Sequence, residues 1–147
     1  APLFTPTTKA DEGHDENITV DMMASMIGAD LTEELRDITL KVYSFAHEYA
    51  LKRNIIIADT KMEFGMIAGT ITLIDELLTP DSSRFWAKQD PMVFKPVNYD
   101  KQYVRDWLLS QGWNREPPAP MIPEDIVCKT QKRYYEAFRR ITNTNIR

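Results

Sequence analysis

Apolar residues recur at helical spacing along one long stretch. Leu31, Leu35, Ile38, Val42, Phe45 and Tyr49 lie three or four apart, which predicts a helix over about 31–53 with one apolar face, opened by Thr32 ahead of Glu33 and Glu34. A shorter helix comes before it, capped by Thr19, starting at Val20 and ended by Gly28; Met22, Met23 and Met26 fall at helical spacing within it and read as core filler. The period then changes. Residues 55–67 carry β-branched side chains followed by polar ones at alternate positions, and 70–74 repeat that composition after Ala68 and Gly69, which predicts a β-hairpin. Residues 79–97 hold three prolines and no stable period, and read as a long loop of the kind that often carries function. Asn98 or Asp100 opens a helix through Trp107 and Leu108 that Gly112 stops, and the prolines of 114–120 make a surface connection. A last helix starts near Pro123 and runs through Ile126, Thr130, Tyr134, Ala137, Phe138 and Ile141. Residues 1–17 show no period and read as extended loop. Together these elements predict an α+β domain, an antiparallel hairpin within a sheet packed by the two long helices.

The bulk properties narrow this picture. A chain of 147 residues, 43% of them hydrophobic, suits one core. A net charge of −4 gives no global attraction to nucleic acid or an acidic membrane, so an anionic ligand must be held by a few placed cations. Cys128 is the single cysteine, which excludes an intramolecular disulfide or a multi-thiolate metal site, fits a reducing cytoplasmic setting, and reads as a small buried side chain. The longest apolar run, 54–58, is too short to span a membrane. The chain opens on Ala1 and a Pro- and Thr-rich stretch that reads as the middle of a longer protein.

Candidate chemistry gathers after the long helix. Asp59, Lys61 and Glu63 alternate, so in a strand they share one face while Ala58, Thr60, Met62 and Phe64 turn to a core. Alternating charges also decorate ordinary solvated strands, but two neighbours favour a site. The returning strand ends in Asp75 and Glu76, whose oxygens suit Mg²⁺. A two-residue loop at 68–69 sets Glu76 opposite Lys61, whereas a three-residue loop or a bulge at Gly65 brings Asp75 onto the Glu63 face; the sequence leaves both open. Beyond them, Asp81, Ser82, Ser83 and Arg84 set a forked cation beside hydroxyls able to grip phosphate or carboxylate, or else form a plain turn with Arg84 on a surface acid. Lys101 and Arg105, four apart, share a helix face. His14 reads as a loop residue with local hydrogen bonds, and His47 as structural.

Several of these blocks resemble one family. Ile56-Ile57-Ala58-Asp59-Thr60-Lys61-Met62-Glu63-Phe64-Gly65 is similar to the SAICAR synthetase signature, an apolar run followed by D-x-K-x-E-F-G. The Asp75-Glu76 pair with Thr79-Pro80-Asp81-Ser82-Ser83-Arg84-Phe85-Trp86 resembles that family's next block, and Phe4-Thr5-Pro6-Thr7-Thr8-Lys9, His14-Asp15-Glu16-Asn17 and Tyr99-Asp100-Lys101-Gln102-Tyr103-Val104-Arg105-Asp106 follow its order. The resemblance implies a ligase of purine biosynthesis that uses ATP and Mg²⁺ to join L-aspartate to the carboxylate of CAIR, giving SAICAR, ADP and phosphate. It implies Glu63 and Asp75 as the Mg²⁺-nucleotide carboxylates and Lys61 as a catalytic cation at the nucleotide phosphates. Asp59 would sit near the imidazole substrate and orient or deprotonate an amine. The loop of Asp81, Ser83 and Arg84 would grip the ribotide phosphate, Lys101 and Arg105 would line the substrate pocket, and Lys9 and Asp15 would belong to a substrate loop.

The resemblance covers the family's C-terminal half and lacks its N-terminal nucleotide-covering sheet. The expectation is one C-terminal catalytic and substrate-binding domain over 1–147, inactive alone. The same residues also suit another ATP-dependent carboxylate-activating ligase, a small-molecule kinase, or a noncatalytic ribotide-binding module. Oligomeric state and the aspartate contacts are left open.

Overall fold

Two units, Ala1–Phe45 and Ala46–Arg147, divide the chain in the computed structural model, which describes residues 1–10, 15–88 and 97–145. His14 lies outside the described residues.

In the first unit the N-terminal stretch is more ordered than its composition suggests. Thr7 and Asn17 form an antiparallel bridge, flanked by bonds from Thr8 N to Glu16 O at 2.9 Å and from Ile18 N to Pro6 O at 3.0 Å. Helix α1 (Val20–Ile27) starts where the Thr19 hydroxyl accepts from Met22 N at 3.1 Å and stops at Gly28, whose φ of 90° is open to glycine. Two of the three methionines are not core filler: Met22 is 52% and Met26 63% exposed, while Met23 is half-buried.

Helix α2 (Ala29–Leu51) begins with the Thr32 hydroxyl donating to Gly28 O at 2.8 Å. Its buried positions toward the C-terminal end are Ala46 and Ala50, while Phe45 and Tyr49 are exposed. The apolar stripe is thus turned by one residue from the expected one. In the second unit this places small side chains next to the sheet, where His47 Nδ1 lies 3.1 Å from Ile57 O, a structural role as expected.

The expected long strand is broken in two. Strand β1 (Ile55–Thr60) pairs antiparallel with β4 (Ser83–Ala87), while β2 (Glu63–Ile67) pairs with β3 (Thr70–Ile74) in a separate sheet. The β2–β3 turn is the two-residue one, Ile67 opposite Thr70, with Ala68 and Gly69 at positive φ as a primed turn requires. Strand β4 corrects the reading of 79–97 as loop throughout. Ser83, Phe85 and Ala87 are buried and alternate with Arg84 and Trp86, a period of two too short to stand out among prolines.

Around β1 and β4 lies the core: Ile55, Ile57, Phe85, Ala87, Tyr99, Ile126 and Ala137. Helix α3 (Gln102–Ser110) follows, and α4 (Glu124–Thr142) starts at Pro123 and ends on left-handed Asn143. Arg133 ties α4 back, donating to Asn98 O at 2.8 Å and lying 4.3 Å over the Tyr103 ring. Tyr49 donates to Ile141 O at 3.2 Å. Cys128 is exposed rather than buried, since it sits two positions past buried Ile126 and so more than half a turn round the helix. The architecture is α+β, as expected. No described helix is long and apolar enough to cross a membrane.

Candidate functional site

The second unit holds a cavity of about 490 Å³ at the ends of β1 and β4 and the start of α3. A register shift at Ala58 sets Asp59 directly across from Arg84. Arg84 Nε donates to Asp59 Oδ2 at 2.7 Å, and Nη2 donates to the same oxygen. The hydrogen bond to Asp59 raises the guanidinium's pKa above its ordinary value, against a smaller opposing effect of burial.

Lys61 follows the end of β1, its N–H bonded to Ser82 O at 2.9 Å. Its Nζ lies 2.8 Å from Glu63 Oε1, with the Lys61 side chain 51% exposed and that of Glu63 only 14%. Asp59, Lys61 and Glu63 therefore meet by a strand break, not on one continuous strand face. Of the two registers left open by the sequence, the structure takes that of the two-residue loop, but pairing stops before Lys61 and Glu76. The turn has two residues and no bulge interrupts Gly65, yet the ladder ends at Glu63 and Ile74. Beyond it Asp75 has φ of 63°, and both Asp75 and Glu76 line the cavity. The Thr79 hydroxyl donates to the Glu76 carboxylate.

A tight turn carries the next group. Asp81 N and Ser82 N donate to Thr79 Oγ1 at 3.2 and 3.1 Å, and Ser83 N to Thr79 O at 3.0 Å. Ser83 is buried, and its hydroxyl donates to Thr60 Oγ1 at 2.8 Å across the β1–β4 pair. Lys101 Nζ reaches Asp81 Oδ1 at 3.1 Å. Arg105, one turn further along α3, lines the cavity without an ion pair among the described residues.

Asp100, a helix opener by sequence, takes a further place in this wall. It is 1% exposed, and it accepts from Phe85 N at 2.8 Å and from Gln102 N at 2.7 Å. Burial raises its pKa, while the two N–H bonds and the guanidinium groups of Arg84 and Arg105 pull the other way. Gln102 also lines the wall and was missed, whereas Ser82 belongs to the polar turn that the sequence marks. For Asp100 the available signal was an Asp two residues ahead of a helix. Lys9 and Asp15 belong to the first unit, where Asp15 Oδ1 accepts from Ala10 N at 3.0 Å; neither is among the residues lining this cavity.

Among the described residues no group of three or more His, Cys, Asp or Glu side chains could hold a metal. The Glu63 and Asp75 carboxylates still fit Mg²⁺, which is commonly held by one or two carboxylates plus substrate phosphates and water rather than by a protein cage. With Asp59, Glu63, Asp75, Glu76, Asp81 and Asp100 set among Lys61, Arg84, Lys101 and Arg105, the wall suits a small, multiply charged ligand.

An α+β scaffold carrying such a cavity defines a polar small-molecule-binding domain. Residues 1–120 match the SAICAR synthetase family, and the chain belongs to that family. It is 52% identical over 143 residues to the phosphoribosylaminoimidazole-succinocarboxamide synthase of Syntrophobacter fumaroxidans, covering 96% of this chain and 48% of that protein. The enzyme of the same name from Pelobacter propionicus is 49% identical over 147 residues, covering 99% of this chain and 50% of that protein. Among solved structures, SAICAR synthase from Saccharomyces cerevisiae complexed with SAICAR matches with a TM-score of 0.79 at 41% identity, over 90% of this chain and 45% of that one. A SAICAR synthetase in complex with ADP matches with a TM-score of 0.73 at 28% identity, over 100% of this chain and 53% of that one. The chain spans about half the length of the relatives it matches.

Proposed function

We propose that this chain is the C-terminal catalytic and substrate-binding part of an ATP-dependent ligase that joins L-aspartate to the carboxylate of CAIR, giving SAICAR, ADP and phosphate. A single observation carries the reading. Lys61, Arg84, Lys101 and Arg105 converge from three separate segments on one cavity that also holds Glu63 and Asp75. Relatives that bear the synthase name, one of them complexed with SAICAR and another with ADP, support the identity of the substrates.

A carboxylate resists attack by an amine until one of its oxygens becomes a leaving group. In the proposed reaction that oxygen takes the terminal phosphoryl group of ATP, ADP departs, and the aspartate amine then forms the C–N bond as phosphate leaves. No protein nucleophile is needed; the residues position groups and stabilise charge. Lys61 holds nucleotide phosphate. Arg84, beside Ser83 and Asp81, grips the ribotide phosphate, with Lys101 and Arg105 lining the same cavity. Asp59 orients the attacking amine or accepts its proton. Glu63 and Asp75 would hold Mg²⁺, which when bound neutralises charge on the nucleotide phosphates. Lys9 and Asp15 contribute to the substrate loop, and a nucleotide-covering N-terminal half completes the enzyme, so this part alone binds nucleotide weakly.

ADP release is the test, measured on this chain joined to the N-terminal half of a relative. Turnover that requires both CAIR and aspartate supports the ligase. Turnover with a different acceptor would make it a kinase or another carboxylate-activating ligase. Calorimetric binding of CAIR without any turnover would leave a ribotide-binding module.

A further inference from the structure

Asp100 differs from the other acids of the cavity wall in being buried and in spending both oxygens on backbone. Its Oδ2 accepts from Phe85 N in β4 at 2.8 Å and its Oδ1 from Gln102 N, the first residue of α3, at 2.7 Å. Ser83 and Arg84 directly precede Phe85, while Lys101 directly precedes Gln102 and Arg105 lies three positions after it. One carboxylate thus joins the strand that presents one cation to the helix that presents two. The joint is closed further by Tyr99 N on Phe85 O at 2.8 Å and Lys101 N on Pro80 O at 3.2 Å. A carboxylate suits this place because each oxygen accepts an N–H, whereas an amide offers one oxygen and sets an NH₂ against the second N–H.

We propose that Asp100 is a positioning residue of this site, fixing the spacing between Arg84 on β4 and the Lys101–Arg105 face of α3 before any ligand arrives. The inference rests on the proposed reading that the cavity takes a phosphorylated ligand spanning both elements. Such a ligand gains from cations already set at the right separation, while an ion small enough to touch one cation does not.

The test compares two probes, CAIR and inorganic phosphate, by calorimetry on the chain and its Asp100→Asn and Asp100→Ser variants. Serine keeps a short acceptor for Gln102 N and cannot reach Phe85 N. Both variants should weaken CAIR binding about tenfold or more while changing phosphate binding less than about twofold, since only the spanning ligand feels the lost spacing. Equal losses for both probes, or none for either, would overturn the proposal, as would a Ser variant that matches the unsubstituted chain. If neither variant folds, amide hydrogen exchange on the unsubstituted chain decides. The Phe85 and Gln102 amides should be protected with and without CAIR, and protection that arises only with CAIR would show that the ligand, not Asp100, sets the spacing. Failure of the unsubstituted chain to bind CAIR would sink the ribotide reading instead, and the exchange measurement would still test the joint.

Discussion

Replacing Glu63 by Gln should affect metal-dependent and metal-free anion binding in opposite directions. The Glu63 carboxylate is engaged with Lys61 Nζ at 2.8 Å. On the proposed reading both partners are then reassigned, Glu63 to Mg²⁺ and Lys61 to phosphate. The amide keeps the shape, removes a metal ligand and takes the carboxylate charge away from Lys61. Because the Lys61 side chain is 51% exposed, the pair is worth no more than about 1 kcal/mol after solvent screening. Its loss therefore raises metal-free anion affinity by at most about fivefold, at 1.4 kcal/mol per factor of ten. Loss of one of two carboxylates should weaken the metal-dependent component by about tenfold or more, as charge-assisted contacts cost roughly 1.5–3 kcal/mol. Calorimetric titration with ADP, in excess Mg²⁺ and again in chelator, measures both. Retention of the full Mg²⁺ effect in the variant would refute the assignment of Glu63. A parallel fall in both conditions would instead show that Glu63 supports the shape of the site.

Three further outcomes follow from particular contacts. Arg105→Ala should leave stability within about 0.5 kcal/mol, as expected for an exposed residue with no ion pair among the described residues; its CAIR affinity should nevertheless fall about tenfold, checked by urea melts beside calorimetry. Phe85→Ala should cost about 3–5 kcal/mol, because Phe85 is 1% exposed at the centre of the β1–β4 layer, and the urea midpoint reports it. Glu136 bonds Arg140 at 2.6 Å and Arg139 at 2.8 Å, which lower its pKa, the Arg140 bond most. Its stabilising contribution is therefore present above the ordinary glutamate value and lost as pH falls through the depressed folded value. Glu136→Gln should flatten that part of the acid limb, by about 1 kcal/mol at most, in melts taken across acidic pH.

The helix boundaries were readable because their signals are local. Thr19, Gly28 and Pro123 each act within a turn of themselves, and the structure has them at the ends they mark. The charged cluster was readable by residue and not by geometry. Asp59 and Arg84 are 25 positions apart, and nothing in the period of either segment says that β1 leaves its neighbour and pairs with β4. Alternation in 59–63 groups three residues that do line one cavity, but a strand break and a register shift, not a shared strand face, bring them together. Burial was read poorly where it depends on what lies opposite. Phe45, Met22 and Cys128 are apolar by residue type, but each is exposed.

Pairing within the cavity explains why it carries acids at all if its ligands are anions. Arg84 is held by Asp59, Lys61 by Glu63 and Lys101 by Asp81, and Arg105 has no such partner among the described residues. Four unpaired cations around one hollow would repel one another and lose fixed positions; matched acids hold three of them in place at modest cost, because each pair is partly exposed. On the proposed reading, ligand binding is then an exchange of partners. Phosphate replaces Glu63 at Lys61, and Mg²⁺ would take the released carboxylate, so each event lowers the cost of the other. Metal and nucleotide should therefore bind with positive coupling, and the same coupling would vanish with either Glu63 or Lys61.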